Sequence, residues 1–460
     1  MEKINFKDRK KELRYLDTQY DKNGSAVVVI YGRRRVGKTE LIKRFIGNKK
    51  AIYYLADKRG ARINSREFAR YCADSFNDVP PEAEGFYECF QYIRNRIANE
   101  KLIVVIDEFS YLVDRDNSIP SVFQKIVDEV IKDKNILLIL CGSNMSMMYE
   151  STLSYKSPLY GRVSSEWKLA PLDFEGLKEF FESAEEMVKY YSVFGNIPAY
   201  LSVIEKNKSF EKNIVENILT KGGKLYKEPD RLLREELSEP SSYEGILESM
   251  AKSTKLTQIA INAGFEPKDM PKYFKVLKNL DLIRKEVAVT ERKTKKSEYH
   301  IDDNLILFWY TFVSRRFSLL EMGNEEFVFD KYIKNNLNIY IGKQFERLCI
   351  GFVNMRYKEK FDNIGRFWTY YRENNIRKQV EIDVLCLDED KRQIAFFECK
   401  WKTLKERQAI GILEVLKEKS KYVGWNLDKR KEFFGLIGKK IENKNRLRKD
   451  GYMVFDLEDF

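Results

Sequence analysis

The sequence has almost no histidine and no paired cysteines. His300 is the single histidine among 460 residues, which argues against a histidine-rich metal site and against Ser-His-Asp or Cys-His catalysis. Acid–base chemistry would then depend on carboxylates and lysines. The six cysteines are scattered without C-x-x-C spacing, so neither a zinc ribbon nor a disulfide framework is indicated.

Long apolar runs are also absent. No stretch approaches the roughly 18 consecutive apolar residues that a membrane span needs. Residues 1–9 lack the apolar core of a signal peptide. These absences predict a cytoplasmic protein with no membrane partner.

The chain does have enough apolar content for several cores, and it has an excess of positive charge. Hydrophobic residues make up 43% of the sequence, and 460 residues is a length typical of about three or four domains. The net charge of +12 favours a polyanionic partner, of which nucleic acid is the obvious candidate. A lysine-rich composition also arises without any binding role, so charge alone leaves the partner open.

The most specific pattern is GRRRVGKT at residues 32–39, which matches G-x-x-x-x-G-K-[ST] without a mismatch. It follows an apolar run at 26–30, a predicted buried strand, and precedes a predicted helix at 40–46. Glycines let backbone N–H groups and a helix N-terminus face phosphates, while Lys38 would reach the β- and γ-phosphates and Thr39 would bind Mg²⁺. The pattern predicts binding of ATP or GTP. The nucleotide-binding residues predicted here are Gly32, Arg33, Arg34, Arg35, Val36, Gly37, Lys38, Thr39 and Glu40.

A second apolar run ends in two acids, Asp107 and Glu108. Asp107 would hold the Mg²⁺ water shell, and Glu108 would orient and deprotonate the attacking water. The alternative is a buried strand that is followed by an acidic turn without a role in catalysis. After the next apolar run, Ser143, or as second choice Asn144, would reach the γ-phosphate or that water. Arg162 follows a glycine, usually a surface position, but lies where an oligomeric ATPase would project an arginine into a neighbour's site.

The order of these motifs resembles an AAA+ ATPase of the STAND and archaeal-ATPase branch, related to origin-recognition initiators. Residues 6–13, FKDRKKEL, are similar to the family's F-x-x-R-x-x-E-L opening, which cradles the adenine side. Residues 195–201, GNIPAYL, resemble its G-G-x-P-x-Y-L lid signature, with Asn196 in place of the second glycine. The resemblance implies ATP as the nucleotide, Mg²⁺ as its metal, Pro198 in the nucleotide site and a homo-oligomer.

The middle of the chain is predicted to be helical and then to form a winged helix. Thr257, placed as the N-cap of the second helix before a glycine turn, is typical of helix-turn-helix motifs. Basic residues of the third helix and the wing could meet phosphates, and no base-reading set stands out, so DNA binding without sequence specificity is predicted. The alternative is a protein–protein spacer. The cations are Lys268, Lys272, Lys275, Lys278, Arg292, Lys293, Lys295 and Lys296. His300 is expected to make a structural hydrogen bond beside Asp302 and Asp303.

Two neighbouring strands carry a second candidate site. A strand at 379–387 contains Asp383, and its hairpin partner at 394–401 has Glu398 and Lys400 on one face. Two carboxylates can hold divalent metal, Mg²⁺ or Mn²⁺, while the ammonium positions or activates water. An upstream helix at 342–349 could add Glu346, and a downstream helix at 405–419 would cover the sheet.

This order of helix acid, strand Asp, strand Glu-x-Lys and helix resembles PD-(D/E)xK nucleases, especially Holliday-junction-resolvase and Mrr-like members. The alternative is an ordinary solvated strand face. The apolar residues 305–313 resemble the start of the C-terminal domain of archaeal-type ATPases, a domain of unknown function, and are expected to pack between domains.

The predicted fold class is α/β. It comprises a P-loop AAA+ ATPase core at 1–170, a helical lid at 171–235, a winged helix-turn-helix at 236–300, a connecting helical segment at 301–330 and an α/β restriction-endonuclease-like domain at 331–460. The expected function is ATP-dependent DNA processing, repair or defence with metal-dependent cleavage through Glu346, Asp383, Glu398 and Lys400. The alternative is a nucleotide-switched signalling or scaffold ATPase whose C-terminal domain only binds DNA or a protein.

Overall fold

The computed structural model describes residues 8–237, 239–291, 297–374 and 376–460. The chain forms two compact units, Met1–Pro171 and Leu172–Phe460. Some of the predictions concern residues outside the described ranges, namely Phe6, Lys7, Arg292, Lys293, Lys295 and Lys296.

A parallel sheet organises the first unit. Its strands are β1 Ala26–Tyr31, β2 Ala51–Leu55, β3 Leu102–Asp107, β4 Ile136–Gly142 and β5 Ser165–Lys168. They lie in the order β2-β3-β4-β1-β5, and each pairs in parallel with its neighbour. The helices are α1 Lys10–Tyr20, α2 Lys38–Ile46, α3 Ala61–Phe76, α4 Phe86–Arg96, α5 Phe109–Arg115, α6 Ile119–Lys125 and α7 Met145–Met148, with π-helical turns at Ile126–Ile131 and Tyr149–Leu153.

Helices cover both faces of this sheet, which explains why its central strands are continuous apolar runs. Along β1, Val27 and Val29 pack into the core that contains Phe90 of α4. The alternate residue Val28 packs into the opposite core, with Phe45 of α2. Because the strands are parallel, the carboxyl ends of β1, β3 and β4 meet at one edge, where ligands bind in sheets of this type.

The second unit begins with helices. They are α8 Phe174–Lys178, α9 Ala184–Phe194, α10 Pro198–Leu201, α11 Phe210–Ile214 with a π-helical turn at Val215–Leu219, and α12 Glu228–Glu236. Three further helices and a ribbon follow: α13 Pro240–Met250, α14 Leu256–Ala263, α15 Met270–Asn279, β6 Ile283–Glu286 and β7 Glu298–Ile301. Ile246, Ile259 and Phe274 form a common core for the three helices. The expectation that Thr257 caps α14 is wrong, because the extended residue Lys255 occupies the cap position and Thr257 lies inside the helix.

The apolar segment at 305–313 is helical and lies between two cores of this unit. It comprises α16 Asn304–Phe308 and a π-helical continuation, Trp309–Val313. Leu305 belongs to the larger core and Ile306 to the core of α13–α15. The chain continues through a 3₁₀ turn at Ser314–Arg316, α17 Phe317–Glu321, α18 Glu325–Val328 and a π-helical turn at Phe329–Lys334.

A mixed sheet forms the C-terminal part. Its elements are α19 Asn335–Tyr357, β8 Asn363–Glu373, β9 Ile376–Asp388, β10 Gln393–Leu404, α20 Glu406–Ser420, β11 Lys431–Ile441, α21 Lys444–Lys449, β12 Met453–Phe455 and a 3₁₀ turn, Leu457–Asp459. The order is β12-β11-β10-β9-β8, with β8, β9 and β10 antiparallel and β10, β11 and β12 parallel. Phe345 of α19 packs on one face, and Leu416 of α20 packs with Phe396 on the other. Within the described ranges, no helix combines the length and apolarity needed to cross a bilayer.

Candidate functional site

The loop after β1 takes a conformation that requires glycine at two positions. Gly37 has a φ of 95°, and Gly32 has a φ of 159°. A Cβ on Gly32 would lie 2.3 Å from the carbonyl oxygen of Leu169. Arg9 stabilises the loop, because its Nη2 donates to the carbonyls of Val36, at 3.0 Å, and Ala170, at 2.8 Å.

Lys38 is the first residue of α2, and its side chain reaches back into this loop. Its side chain is buried, and Nζ donates to the carbonyl oxygens of Gly32, at 2.8 Å, and Arg33, at 3.1 Å. The ammonium, the loop amides and the N-terminus of α2 are donors that suit phosphate oxygens. The residues present therefore fit a nucleotide phosphate group.

Asp107 at the end of β3 receives two hydroxyl hydrogen bonds on one oxygen. Thr39 donates to Oδ2 at 2.8 Å, and Tyr53 of β2 donates to the same oxygen at 2.6 Å. Burial, followed by the hydrogen bond to Asp107, raises the pKa of Tyr53 well above its usual value, so the phenol stays a donor. The predicted Mg²⁺ residues Thr39 and Asp107 are thus in contact, and Tyr53 is a partner that the motifs did not indicate.

Glu108 lies beside Ser143 at the same sheet edge. Glu108 has a left-handed backbone with a φ of 55°. The Ser143 hydroxyl donates to its carboxylate, at 2.7 Å to Oε2 and 2.9 Å to Oε1. Ser143 was predicted to reach the γ-phosphate or the water; in this structure its hydroxyl holds the carboxylate predicted to activate that water. The second choice, Asn144, caps α7 by accepting from the N–H of Met147.

The other predicted nucleotide residues have varied surroundings. Arg34 Nη2 donates to the Tyr111 hydroxyl at 3.1 Å, and Glu40 is exposed in the first turn of α2. Arg162 forms an ion pair with Asp128 of its own unit, with Nη2 2.8 Å from Oδ2. In the same loop Arg33 and Val36 are buried and Arg35 has a positive φ. Pro198 begins α10 in the second unit.

The second candidate site lies where β9 and β10 separate. Their ladder extends from the turn as far as the pair Val384 and Phe397. Beyond that pair, the Asp383 carboxylate accepts a hydrogen bond from the Cys399 N–H at 2.8 Å. At this point, the side chain of Asp383 therefore replaces a main-chain carbonyl as the acceptor for an N–H of β10.

Asp383, Glu398 and Lys400 come together at this opening. Lys400 Nζ is 2.8 Å from Glu398 Oε1 and 3.7 Å from Asp383 Oδ2. Lys419 at the end of α20 is a second ammonium, 3.1 Å from Glu398. The two acids are largely buried, with 13% of the Asp383 side chain and 10% of the Glu398 side chain exposed. Lys419 was not identified from the sequence.

Buried negative charge accumulates at this opening. Burial, with Asp383 next in importance, raises the pKa of Glu346 on α19 to about 7. Burial and the charge of Glu398 raise the pKa of Asp383 to about 6. Crowded carboxylates of this kind favour a bound proton or a metal cation, so the donor set fits Mg²⁺ or Mn²⁺.

The structural hydrogen bond expected for His300 is confirmed, and its partners are glutamates of the β6–β7 ribbon. Its Nε2 lies 3.1 Å from Glu286 and 3.2 Å from Glu298. The antiparallel ribbon explains this, because β6 and β7 pair Arg284 with His300 and Glu286 with Glu298. Arg366 of β8 also forms an ion pair with Glu286, with Nη1 at 3.1 Å, and its guanidinium lies 3.6 Å from Glu298. Glu286 and Glu298 therefore already have a cationic partner.

The strand order of the first unit, the phosphate-binding loop after β1 and the acid pair after β3 define a P-loop ATPase of the AAA+ type. Residues 6–204 match the family described as an ATPase domain predominantly from Archaea. Residues 309–412 match a family described as archaeal and bacterial proteins of unknown function.

One relative matches the whole length. The chain is 36% identical to the protein MJECL04 of Methanocaldococcus jannaschii, over 99% of this chain and 100% of that protein. The chain therefore belongs to the same family as MJECL04, and its N-terminal part matches an ATPase domain.

Two solved structures share part of the architecture. The Walker-type ATPase PABY2304 of Pyrococcus abyssi has a TM-score of 0.49 and 21% identity, over 66% of this chain and 95% of that chain. The ORC2 protein of Aeropyrum pernix, in ADPNP–ADP complexes, has a TM-score of 0.42 and 14% identity, over 68% of this chain and 95% of that chain. At these values, the similarities carry no information about substrates or partners.

Proposed function

We propose that the chain is an ATP-hydrolysing DNA-processing protein with a metal-dependent nuclease site in its C-terminal part. The observation that carries this proposal is the convergence of Asp383, Glu398 and Lys400 where β9 and β10 separate. Two buried carboxylates beside an ammonium form a donor set suited to hydrolysis of a phosphodiester.

In the ATPase part, the loop amides and Lys38 bind the phosphates of ATP. Thr39 and Asp107 would hold Mg²⁺, whose chemical contribution is to neutralise charge on the phosphate oxygens. Glu108 orients the attacking water and accepts its proton, after its carboxylate leaves the Ser143 hydroxyl. Arg162 is proposed to act on the site of a neighbouring copy in a homo-oligomer, which requires it to leave Asp128.

In the C-terminal part, Asp383 and Glu398 would hold Mg²⁺ or Mn²⁺, which supplies Lewis-acid activation of the scissile phosphate. Lys400 positions the attacking water and stabilises the negative charge that develops on the phosphate. Glu346, with a pKa near neutrality, is suited to exchange a proton with this water. Lys419 holds Glu398 in place from the other side.

The segment from α13 to β7 is proposed to be a winged helix that contacts DNA through its phosphates. Lys272, Lys275 and Lys278 are exposed along α15. Lysine ammonium groups on one exposed helix bind phosphates without reading bases, so binding without sequence specificity is expected. The boundaries proposed for the parts of the chain remain 1–170, 171–235, 236–300, 301–330 and 331–460.

The test is cleavage by the purified protein of supercoiled, linear and branched DNA, with Mg²⁺ or Mn²⁺ and with or without ATP. Metal-dependent cutting should disappear in Glu398→Ala and persist in Asp390→Ala, which alters an exposed acid in the turn of the same hairpin. Cutting that survives Glu398→Ala would come from other residues or another protein. Absence of cutting on every substrate, with ATP hydrolysis intact, would favour a nucleotide-switched scaffold.

A further inference from the structure

A groove adjoins the candidate metal-binding carboxylates on the side of the C-terminal sheet where α20 packs. Its volume is about 570 Å³, within the range of small-molecule and nucleotide sites. It lies between the paired strands β8 and β9 and the end of α20. The lining residues include Tyr371, Val380, Glu381, Val415, Lys419 and Tyr422.

Two tyrosines form one wall of this groove. The ring centroids of Tyr371 and Tyr422 are 4.4 Å apart, with an angle of 38° between their planes. Tyr422 is 42% exposed, and the nearby Val415 is 56% exposed. Tyr371 packs against the ring of Tyr422, and the half-exposed Tyr422 ring beside Val415 offers an aromatic surface on which a nucleobase can stack.

The groove leads directly to the site of the proposed chemistry. Lys419 lines it and also lies 3.1 Å from Glu398. Glu381 lines it two residues before Asp383 on β9. A base on the tyrosines would therefore place its backbone phosphate in the same groove as Lys419.

The acids of the groove do not oppose such a ligand strongly, because each is matched by a cation. Glu381 lies 3.8 Å from Arg366, and Glu418 lies 2.6 Å from Lys421. Lys419 lines the groove and also contacts Glu398, one of the proposed metal-binding carboxylates. A metal ion that arrives with the phosphate would take over part of the role that Lys419 plays at Glu398, and Lys419 could then pair with the phosphate.

We infer that Tyr371 and Tyr422 bind an unpaired nucleobase of DNA beside the scissile phosphate. This inference rests on the proposed nuclease function and specifies its substrate class: DNA with unpaired nucleotides at the cleavage position, as in flaps, gaps and branch points. Stacking is tolerant of base identity, so the site selects strand state and not sequence.

The test is binding of the full-length protein to three labelled DNAs: a single strand, a flapped duplex and a fully paired duplex, with Ca²⁺ in place of Mg²⁺. Tyr422→Leu should weaken binding of the single strand and the flap by about tenfold, within the range measured for loss of one base stack, and should leave the paired duplex nearly unchanged. Tyr422→Phe keeps the ring and should bind like the unaltered protein. A 2-aminopurine base in the flap should be quenched on binding, and that quenching should be lost in Tyr371→Ala.

Phe327→Ala serves as the control, because Phe327 is an aromatic residue of the same unit that is 48% exposed, close to the 42% of Tyr422, and lies outside the groove. Equal loss for paired and unpaired DNA, or a Tyr422→Phe defect as large as that of Tyr422→Leu, would overturn the inference. If Asp383-dependent cleavage occurs but the tyrosine variants keep the same ratio of flap to duplex cutting, the nuclease proposal stands and the stacking site is wrong. If the unaltered protein binds none of the DNAs, both are wrong.

Discussion

The two candidate sites differ in the sign of the charge that a ligand must bring. At the loop after β1, backbone amides, the N-terminus of α2 and Lys38 present positive potential, and the Lys38 ammonium is satisfied by carbonyls of its own loop. At the opening between β9 and β10, carboxylates dominate, and burial with mutual repulsion raises the pKa of Glu346 and of Asp383. The net charge of +12 predicts neither local field, since each site is set by the few groups within a few ångströms.

The two sites also differ in the groups that contact their acidic side chains in the absence of a ligand. In the first unit, neutral hydroxyl groups of Thr39 and Tyr53 satisfy Asp107. In the second, Lys400 and Lys419 share Glu398, and the burial of Glu346 raises its pKa although the charges of Lys400 and Arg366 lower it. The candidate phosphate site is therefore preformed, and the candidate metal site carries a repulsion that a metal ion would relieve.

The largest expected effect comes from removing the positive charge of the first site. Lys38→Ala should reduce ATP hydrolysis by at least about 100-fold, because an ammonium aimed at developing charge contributes on that scale. Arg44→Ala, an exposed cation on the same helix, should hydrolyse ATP at nearly the normal rate. Steady-state phosphate release measures both. Unchanged turnover in Lys38→Ala would remove the assignment of this loop as the nucleotide site.

A medium effect is expected from pH at the second site. Asp383 and Glu346 have a raised pKa in the folded chain, so they bind more protons there than in the unfolded chain. Their contribution to the free energy of unfolding is therefore fully present below about pH 4, and it is lost as the pH rises through about 6 and 7. Mn²⁺ replaces those protons. The increase in Tm on adding Mn²⁺ should therefore be larger at about pH 8 than at about pH 5.5, as measured by thermal unfolding.

Asp383→Asn separates this effect from general metal binding. The amide oxygen can still accept the hydrogen bond of the Cys399 N–H, but the negative charge is gone. In EDTA at about pH 8, the variant should be more stable by about 1 kcal/mol or more, since one pKa unit corresponds to about 1.4 kcal/mol. Its Tm should no longer respond to Mn²⁺, while Asp390→Asn should respond normally. A Mn²⁺ response that is the same in both variants would contradict a metal site at Asp383.

The sequence indicates the first site more completely than the second because its determinants are local. The residues at 32–39 are contiguous, and the acids Asp107 and Glu108 directly follow an apolar strand, so pattern and position suffice. Tyr53 escapes detection because its contact with Asp107 depends on the parallel pairing of β2 with β3, which sets Tyr53 beside Val105. The sequence of neither strand alone predicts the register between two parallel strands that are separated along the chain.

For the second site, the alternation of side chains along a hairpin brings Asp383 near Glu398 and Lys400. This contact is predictable because a tight turn joins the two antiparallel strands. Lys419 comes from a helix packed across the sheet, a tertiary contact that no spacing rule supplies. His300 shows a different limit, because its partner Glu286 lies across the β6–β7 ribbon, whose strands are joined by a longer connection that does not fix the register. Contacts across a tight turn are predictable, and contacts that depend on a long connection or on packing between elements are not.

The smallest expected effect tests whether a neutral hydroxyl group matters to the first site. Tyr53→Phe removes one of two hydrogen bonds to Asp107 Oδ2 and leaves the bond from Thr39. The loss of about 1 kcal/mol expected for one hydrogen bond corresponds to an about fivefold increase in the Mg²⁺ concentration that gives half-maximal ATP hydrolysis. Tyr54→Phe is the matched control, because that buried hydroxyl on the same strand donates to Asn64 and not to Asp107. An equal shift in both variants would assign the effect to packing of β2, whereas a shift in Tyr53→Phe alone would establish that the phenol orients the metal-binding carboxylate.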